Sequence, residues 1–148
     1  MPRQSPIPDE LDAPYLAAAN EDRLVLQYCT LDDRWQFPPE VACAACESAD
    51  HLEWRENDGD GTIHTYAVVH DTYFPSLRAD LPFNAVVVEL DSAPGVNLFT
   101  RLPGSAPGEV PIGAKVKLVF ETTPATGQKV PQWVLAADTE QLQKGPLP

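Results

Sequence analysis

The residues most able to do chemistry are three cysteines and the acids beside them. Cys43-Ala44-Ala45-Cys46 is a close pair of thiols, and Cys29-Thr30-Leu31-Asp32 repeats the spacing upstream with a carboxylate in the last place. Two such knuckles suit a tetrahedral zinc site, whose thiolates lie about 2.3 Å from the ion. The spacing therefore puts forward Cys29, Asp32, Cys43 and Cys46 as the ligand set, with zinc as the cofactor and no organic cofactor. Two departures count against the metal. Asp32 lacks thiolate softness, and Asp33 and Glu47 stand where glycine would ease the backbone after each knuckle. The competing reading is a module that keeps the shape without the ion, its cysteines packed as small apolar residues. An odd number of cysteines cannot close into disulfides, which agrees with a reducing compartment.

Catalysis would need a base and a nucleophile in reach of each other. The candidates are His51, His64 and His70 with the cysteines or nearby acids, and they form no motif. His64 and His70 are six positions apart on one expected strand, which would turn both to the same face. They read as ordinary solvated histidines, and no residue is assigned a catalytic role.

These groups need a scaffold. Pro14 at the head of Ala13–Glu21 predicts a short helix, and Arg23–Tyr28, leading to Cys29, reads as a strand. Trp35-Gln36-Phe37 is an aromatic stretch stopped by Pro38-Pro39, and the Asn57–Gly61 cluster marks a turn. Beyond it come five β-branched or aromatic runs: Thr62–His70, Asn84–Leu90, Val96–Arg101, Ala114–Glu121 and Gln132–Ala136. Five strands with no long intervening helix predict a small, partly open barrel of the OB type, with a β-sandwich as the alternative. The fold class is thus mainly β, a helix and knuckle module followed by a five-stranded barrel. The long connection Asp71–Pro82 carries aromatics and invites a partner.

Charge excludes one class of partner. The chain is at −12 overall, and residues 1–60 hold 14 acidic against 4 basic side chains. Such a balance repels a phosphate backbone, so a single-stranded nucleic-acid module, the natural alternative for an OB barrel, is disfavoured. No stretch nears the roughly 20 apolar residues of a membrane helix, and the first residues lack the apolar core of a signal peptide, which points to the cytoplasm.

The ordered set Arg23–Cys29, Phe37-Pro38-Pro39, Cys43–Cys46, Glu53-Trp54, Gly59–Tyr66, Val86–Leu90, Ile112–Val116 and Pro131-Gln132-Trp133 resembles the rubredoxin-like zinc-ribbon plus OB-fold family, known as domain of unknown function 35. The resemblance runs from about Tyr15 to Trp133. Together with the helix and tail signals of the residues themselves, it implies an arm with a short helix over 1–22, a zinc-ribbon module over 23–54, an OB domain over 55–138 and a flexible tail over 139–148. It also implies a non-catalytic subunit that binds a thiolase-like or aldolase protein and, through the complex, acyl-CoA. A free-standing acyl-CoA-binding protein or thioesterase is the alternative. For the CoA phosphates the candidates are Arg78, Arg101, Lys115 and Lys117, with Lys129 also in this less acidic part. For the partner surface they are Tyr73, Phe74, Leu77, Trp35 and Phe37.

Overall fold

A computed structural model describes residues 3–138, so the tail expected over 139–148 lies outside the described residues. Helix α1 spans Ala13–Asn20, with Pro14 in its first turn where no N–H is needed. The Asp9 carboxylate accepts the Leu11 and Asp12 N–H groups at 2.8 and 2.9 Å and so builds the turn that enters the helix. Leu16, Ala18 and Ala19 are buried on its inner side.

Strands β1 (Leu24–Cys29), β2 (Arg34–Gln36) and β3 (Leu52–Asn57) form an antiparallel sheet in the order β2-β1-β3. β1 is buried along its whole length, as a central strand should be. The Tyr28 ring meets Trp35 edge-on at 5.1 Å, and the Arg55 guanidinium covers it at 3.7 Å. β3 runs on to Asn57, three residues past the expected end of the ribbon at 54, because Leu24–Cys29 pairs with all of Leu52–Asn57.

The second sheet contains β4 (Gly61–Val69), β5 (Phe83–Leu90), β6 (Asn97–Arg101), β7 (Lys115–Thr122) and β8 (Lys129–Leu135), antiparallel in the order β6-β5-β4-β7-β8. These are the five predicted runs, with the last beginning earlier. The edge strands β6 and β8 are the two ends of an OB-type barrel. β5 alternates cleanly, with Asn84, Val86, Val88 and Leu90 inward. The histidine expectation is corrected here. The register of β4 shifts between Ile63 and Thr65, where His64 sits, and the strand ends at Val69 before His70. A bulge breaks the two-residue period, so simple alternation places no shared face.

Leu24 and Leu26 of β1 join Ile63, Val86, Val88, Leu98, Val116 and Trp133 in one apolar core. Ribbon and barrel are therefore welded rather than hinged. Two polar devices finish this core. Asn84 donates to Ser105 Oγ (2.8 Å) and the Ala106 carbonyl (2.9 Å) and accepts the Gly108 N–H (2.9 Å), which pins the connection between β6 and β7. Trp133 donates its indole N–H to the Gly59 carbonyl at 2.7 Å. Gly59 has φ +75°, and a Cβ there would lie 2.7 Å from Leu118 Cδ2, so only glycine fits the bend between β3 and β4. No helix among the described residues is long and apolar enough to cross a membrane.

Replacing Trp133 by Phe keeps most of the apolar volume and strands the buried Gly59 carbonyl. The expected loss in urea denaturation is about 1–3 kcal/mol, and a loss below about 0.5 kcal/mol would show that this bond does not hold the bend.

Candidate metal centre

The four predicted ligands do converge. One donor atom from each of Cys29, Asp32, Cys43 and Cys46 lies within 4.8 Å of every other. Cys29 is the last residue of β1, Asp32 sits in the turn that leads to β2, and the two remaining cysteines lie on the loop between β2 and β3. Three of the six separations lie near the edges of a zinc tetrahedron. Ligands at about 2.3 Å for sulfur and about 2.0 Å for oxygen give edges of about 3.8 Å between sulfurs and about 3.5 Å between sulfur and oxygen. Cys29 Sγ to Cys46 Sγ is 3.9 Å, Cys29 Sγ to Asp32 Oδ2 is 3.5 Å, and Cys43 Sγ to Asp32 Oδ2 is 3.2 Å. The donor set fits a zinc-sized ion.

The missing glycines do not spoil the knuckles. Asp33 and Glu47 adopt φ 51° and φ 60°, the left-handed conformation that glycine would have taken without strain. Both knuckles keep their turn with a side chain attached. A left-handed residue costs roughly 1–2 kcal/mol, less for aspartate, so the surrounding contacts must over-determine this shape.

Two residues that sequence reasoning missed hold the chain around the second knuckle. Gln27 and Gln36 face each other across β1 and β2, and both are buried. The Gln36 amide donates to Gln27 Oε1 (2.8 Å) and to the Ala42 carbonyl (3.2 Å), while its Oε1 accepts the Ala44 N–H (3.0 Å). Gln27 donates to the Glu40 carbonyl (2.9 Å) and accepts the Glu40 N–H (2.8 Å). Backbone on both sides of Cys43 is thus held by side chains of the sheet. Their one signal in the sequence was a pair of glutamines inside otherwise apolar or aromatic strand runs.

The protonation pattern follows from these contacts. Thiol hydrogen bonds from Cys43, then Cys46 and Cys29, together with the nearby Arg34 charge, hold the Asp32 carboxyl below its ordinary range. Backbone N–H groups of Cys46 and Ala45 pull the Cys43 thiol down. At Cys46 the Ser48 N–H also pulls down, but Asp32, burial and the two other thiols together push the group up to about 12. A divalent cation has to displace these protons, so its binding strengthens as pH rises.

The other candidates lie elsewhere. His51 and His70 are exposed, and His64 Nδ1 stands 4.0 Å from Glu89 Oε2. Lys115 is paired with Asp91 (3.1 Å), Lys117 with Asp60 (2.9 Å), Lys129 with Asp22 (2.8 Å) and Arg101 with Asp80 (3.2 Å). Arg78 is exposed on a short 3-10 turn over Pro75–Asp80. Trp35 packs on Tyr28, and Phe37 meets the Tyr15 ring at 5.4 Å, whereas Tyr73 and Phe74 are 98% and 65% exposed. Phe74 and Leu77, with Arg101 and Val130, wall a cleft of about 420 Å³.

A three-stranded knuckle sheet fused to an OB barrel defines a class of protein, and comparison with known proteins agrees. Residues 54–121 match the family described as ChsH2, C-terminal OB-fold domain. A solved chain in the structure described as "Ltp2-ChsH2(DUF35) aldolase" is 29% identical, with a TM-score of 0.76 over 89% of this chain and 99% of that one. A protein of unknown function from Sulfolobus solfataricus, of the DUF35 family, is 15% identical with a TM-score of 0.56 over 82% of each chain, a likeness of fold alone. The "Probable enoyl-CoA hydratase alpha subunit" of Thermomonospora curvata is 33% identical over 116 residues. That match takes in 78% of this chain and 35% of the curated relative, so the chain spans about a third of that protein's length. The chain is thus similar to the domain-of-unknown-function-35 proteins, through its OB portion to the family described as ChsH2, C-terminal OB-fold domain, and over most of its length to the chain of the aldolase structure.

Gln36→Glu leaves the size unchanged but sets a carboxylate against Gln27 Oε1 and the Ala42 carbonyl. The expected cost is about 3 kcal/mol or more in urea denaturation, with metal affinity falling about 10-fold or more in a chelator competition. Unchanged affinity would show that the amide pair does not position the second knuckle.

Proposed function

We propose that this chain is a non-catalytic subunit of a complex that processes acyl-CoA, docked on a thiolase-like or aldolase-type protein in the cytoplasm. The observation that carries this reading is the likeness, over nearly the whole of its length, to the DUF35 chain of an aldolase structure. The hydratase subunit relative supports the same class of substrate from a second direction.

The docking surface we assign is the connection between β4 and β5. Tyr73 and Phe74 stand in solvent there, and an aromatic pair of this kind is what a partner's surface would bury to advantage. Leu77 lies behind Phe74, its N–H donating to the Phe74 carbonyl at 3.0 Å. Trp35 and Phe37 contribute less, because their rings already pack within the chain. Among the candidate cations, Arg78 is the one we assign to a CoA phosphate. Arg101, Lys115 and Lys117 would each have to give up an acidic partner first. Zinc held by Cys29, Asp32, Cys43 and Cys46 has a structural part in this scheme, closing the loop between β2 and β3 on the end of β1.

Co-expression of the full chain with a thiolase-like protein of the same genome tests the reading. The two are expected to co-elute in size-exclusion chromatography, and the partner to lose acyl-CoA activity without this chain. Exchanging Tyr73 and Phe74 together for Ser should weaken the complex by roughly 10-fold or more while leaving the melting temperature of the free chain in place. Separate elution and full partner activity would overturn the subunit assignment.

A further inference from the structure

The four ligands of the metal cluster are not held alike. Cys29 and Cys43 are buried, Cys46 is half-buried and Asp32 is exposed. Cys29 is fixed by the strand ladder, paired with Arg34 on one side and Leu52 on the other. The backbone around Cys43 is fixed by Gln36 and by the Glu47 N–H, which donates to the Cys43 carbonyl at 2.9 Å, and its sulfur accepts the Ala45 N–H at 3.4 Å. Asp32 has no comparable anchor. Among the described residues its side-chain hydrogen bonds come from the cluster's own thiols. The weakest donor for a soft ion is therefore also the most accessible and the least tethered.

We infer that the metal rests in a seat of three thiolates and that Asp32 is a replaceable fourth ligand, so that the site exchanges its ion and admits a small external thiol where a four-thiolate ribbon would stay closed. This rests on reading the cluster as a metal site. In the exchange the bond from zinc to the Asp32 oxygen breaks and a bond to the incoming sulfur forms. The thiol's proton passes to solvent, and neither partner is oxidised or reduced. The ion keeps four anionic ligands, and the released Asp32 carboxylate adds one negative charge beside the cluster, where its exposure lets water solvate it. A cysteine thiolate at the same place, by contrast, would bind the soft ion more strongly than the carboxylate and close the site.

The test uses the full chain, reduced, loaded with Co²⁺ or Zn²⁺, as wild type, Asp32→Cys and Asp32→Ala. Asp32 lies in an exposed turn, so both variants should fold, and far-ultraviolet circular dichroism checks that they do. Release of Zn²⁺ to an excess of a chromophoric chelator is expected to slow about 10-fold or more in Asp32→Cys and to quicken in Asp32→Ala. The sulfur-to-cobalt charge-transfer band should be about a third stronger in Asp32→Cys, four thiolates against three, and 2-mercaptoethanol should raise the wild-type band toward that level. Equal release rates and equal bands in wild type and Asp32→Cys would overturn the inference while leaving the metal site standing. Stoichiometric binding in Asp32→Cys with none in wild type would overturn the metal reading itself, and the inference with it.

Discussion

Two buried carboxamides hold together the loop between β2 and β3, which has no secondary structure of its own. The loop between β2 and β3 contains two metal-ligand candidates, yet among its described residues it forms neither helix nor strand. Its backbone groups need partners, since each polar group buried without one costs about 1–3 kcal/mol. Gln27 and Gln36 provide them, with two donor and two acceptor contacts to residues 40–44 and one bond between the amides themselves. An amide can do this where a carboxylate or an ammonium cannot, because it offers donors and an acceptor without carrying a charge into the interior.

The second constraint is the single core. β1 supplies Leu24 and Leu26 to the same cluster as Trp133 and the inward face of β5, so the knuckles stand in a set relation to the barrel. Asn84 and Gly59 mark two of the places where polar or backbone groups enter the interior, and each is satisfied. The consequence is a rigid body from which one long connection, between β4 and β5, projects its aromatics.

Acidity is spent partly inside the chain. Asp91, Asp60, Asp22 and Asp80 each hold one of the barrel's cations, from Lys115 through Lys117 and Lys129 to Arg101. Exposed pairs of this kind contribute little to stability, about 0–1 kcal/mol each. Their larger effect is to leave a surface on which Arg78 is the available cation among those considered.

By itself the sequence determined what depends on near neighbours. β-Branched runs between turn residues located all five barrel strands, Pro14 the helix, and the spacing of Cys29, Asp32, Cys43 and Cys46 the four side chains that cluster, because strand propensity, turn chemistry and knuckle geometry act over a few residues. Tertiary structure decided what depends on distant ones. Gln27 and Gln36 meet only once β1 and β2 pair. Asp33 and Glu47 take the left-handed conformation in the folded knuckles, where the Glu47 N–H donates to the Cys43 carbonyl at 2.9 Å. The bulge at His64 arises where β4 must pair with β5 along its length and with β7 at its start. And the exposure of Asp32, the property that distinguishes it from three thiols at matching positions, follows from which side of the folded cluster meets water.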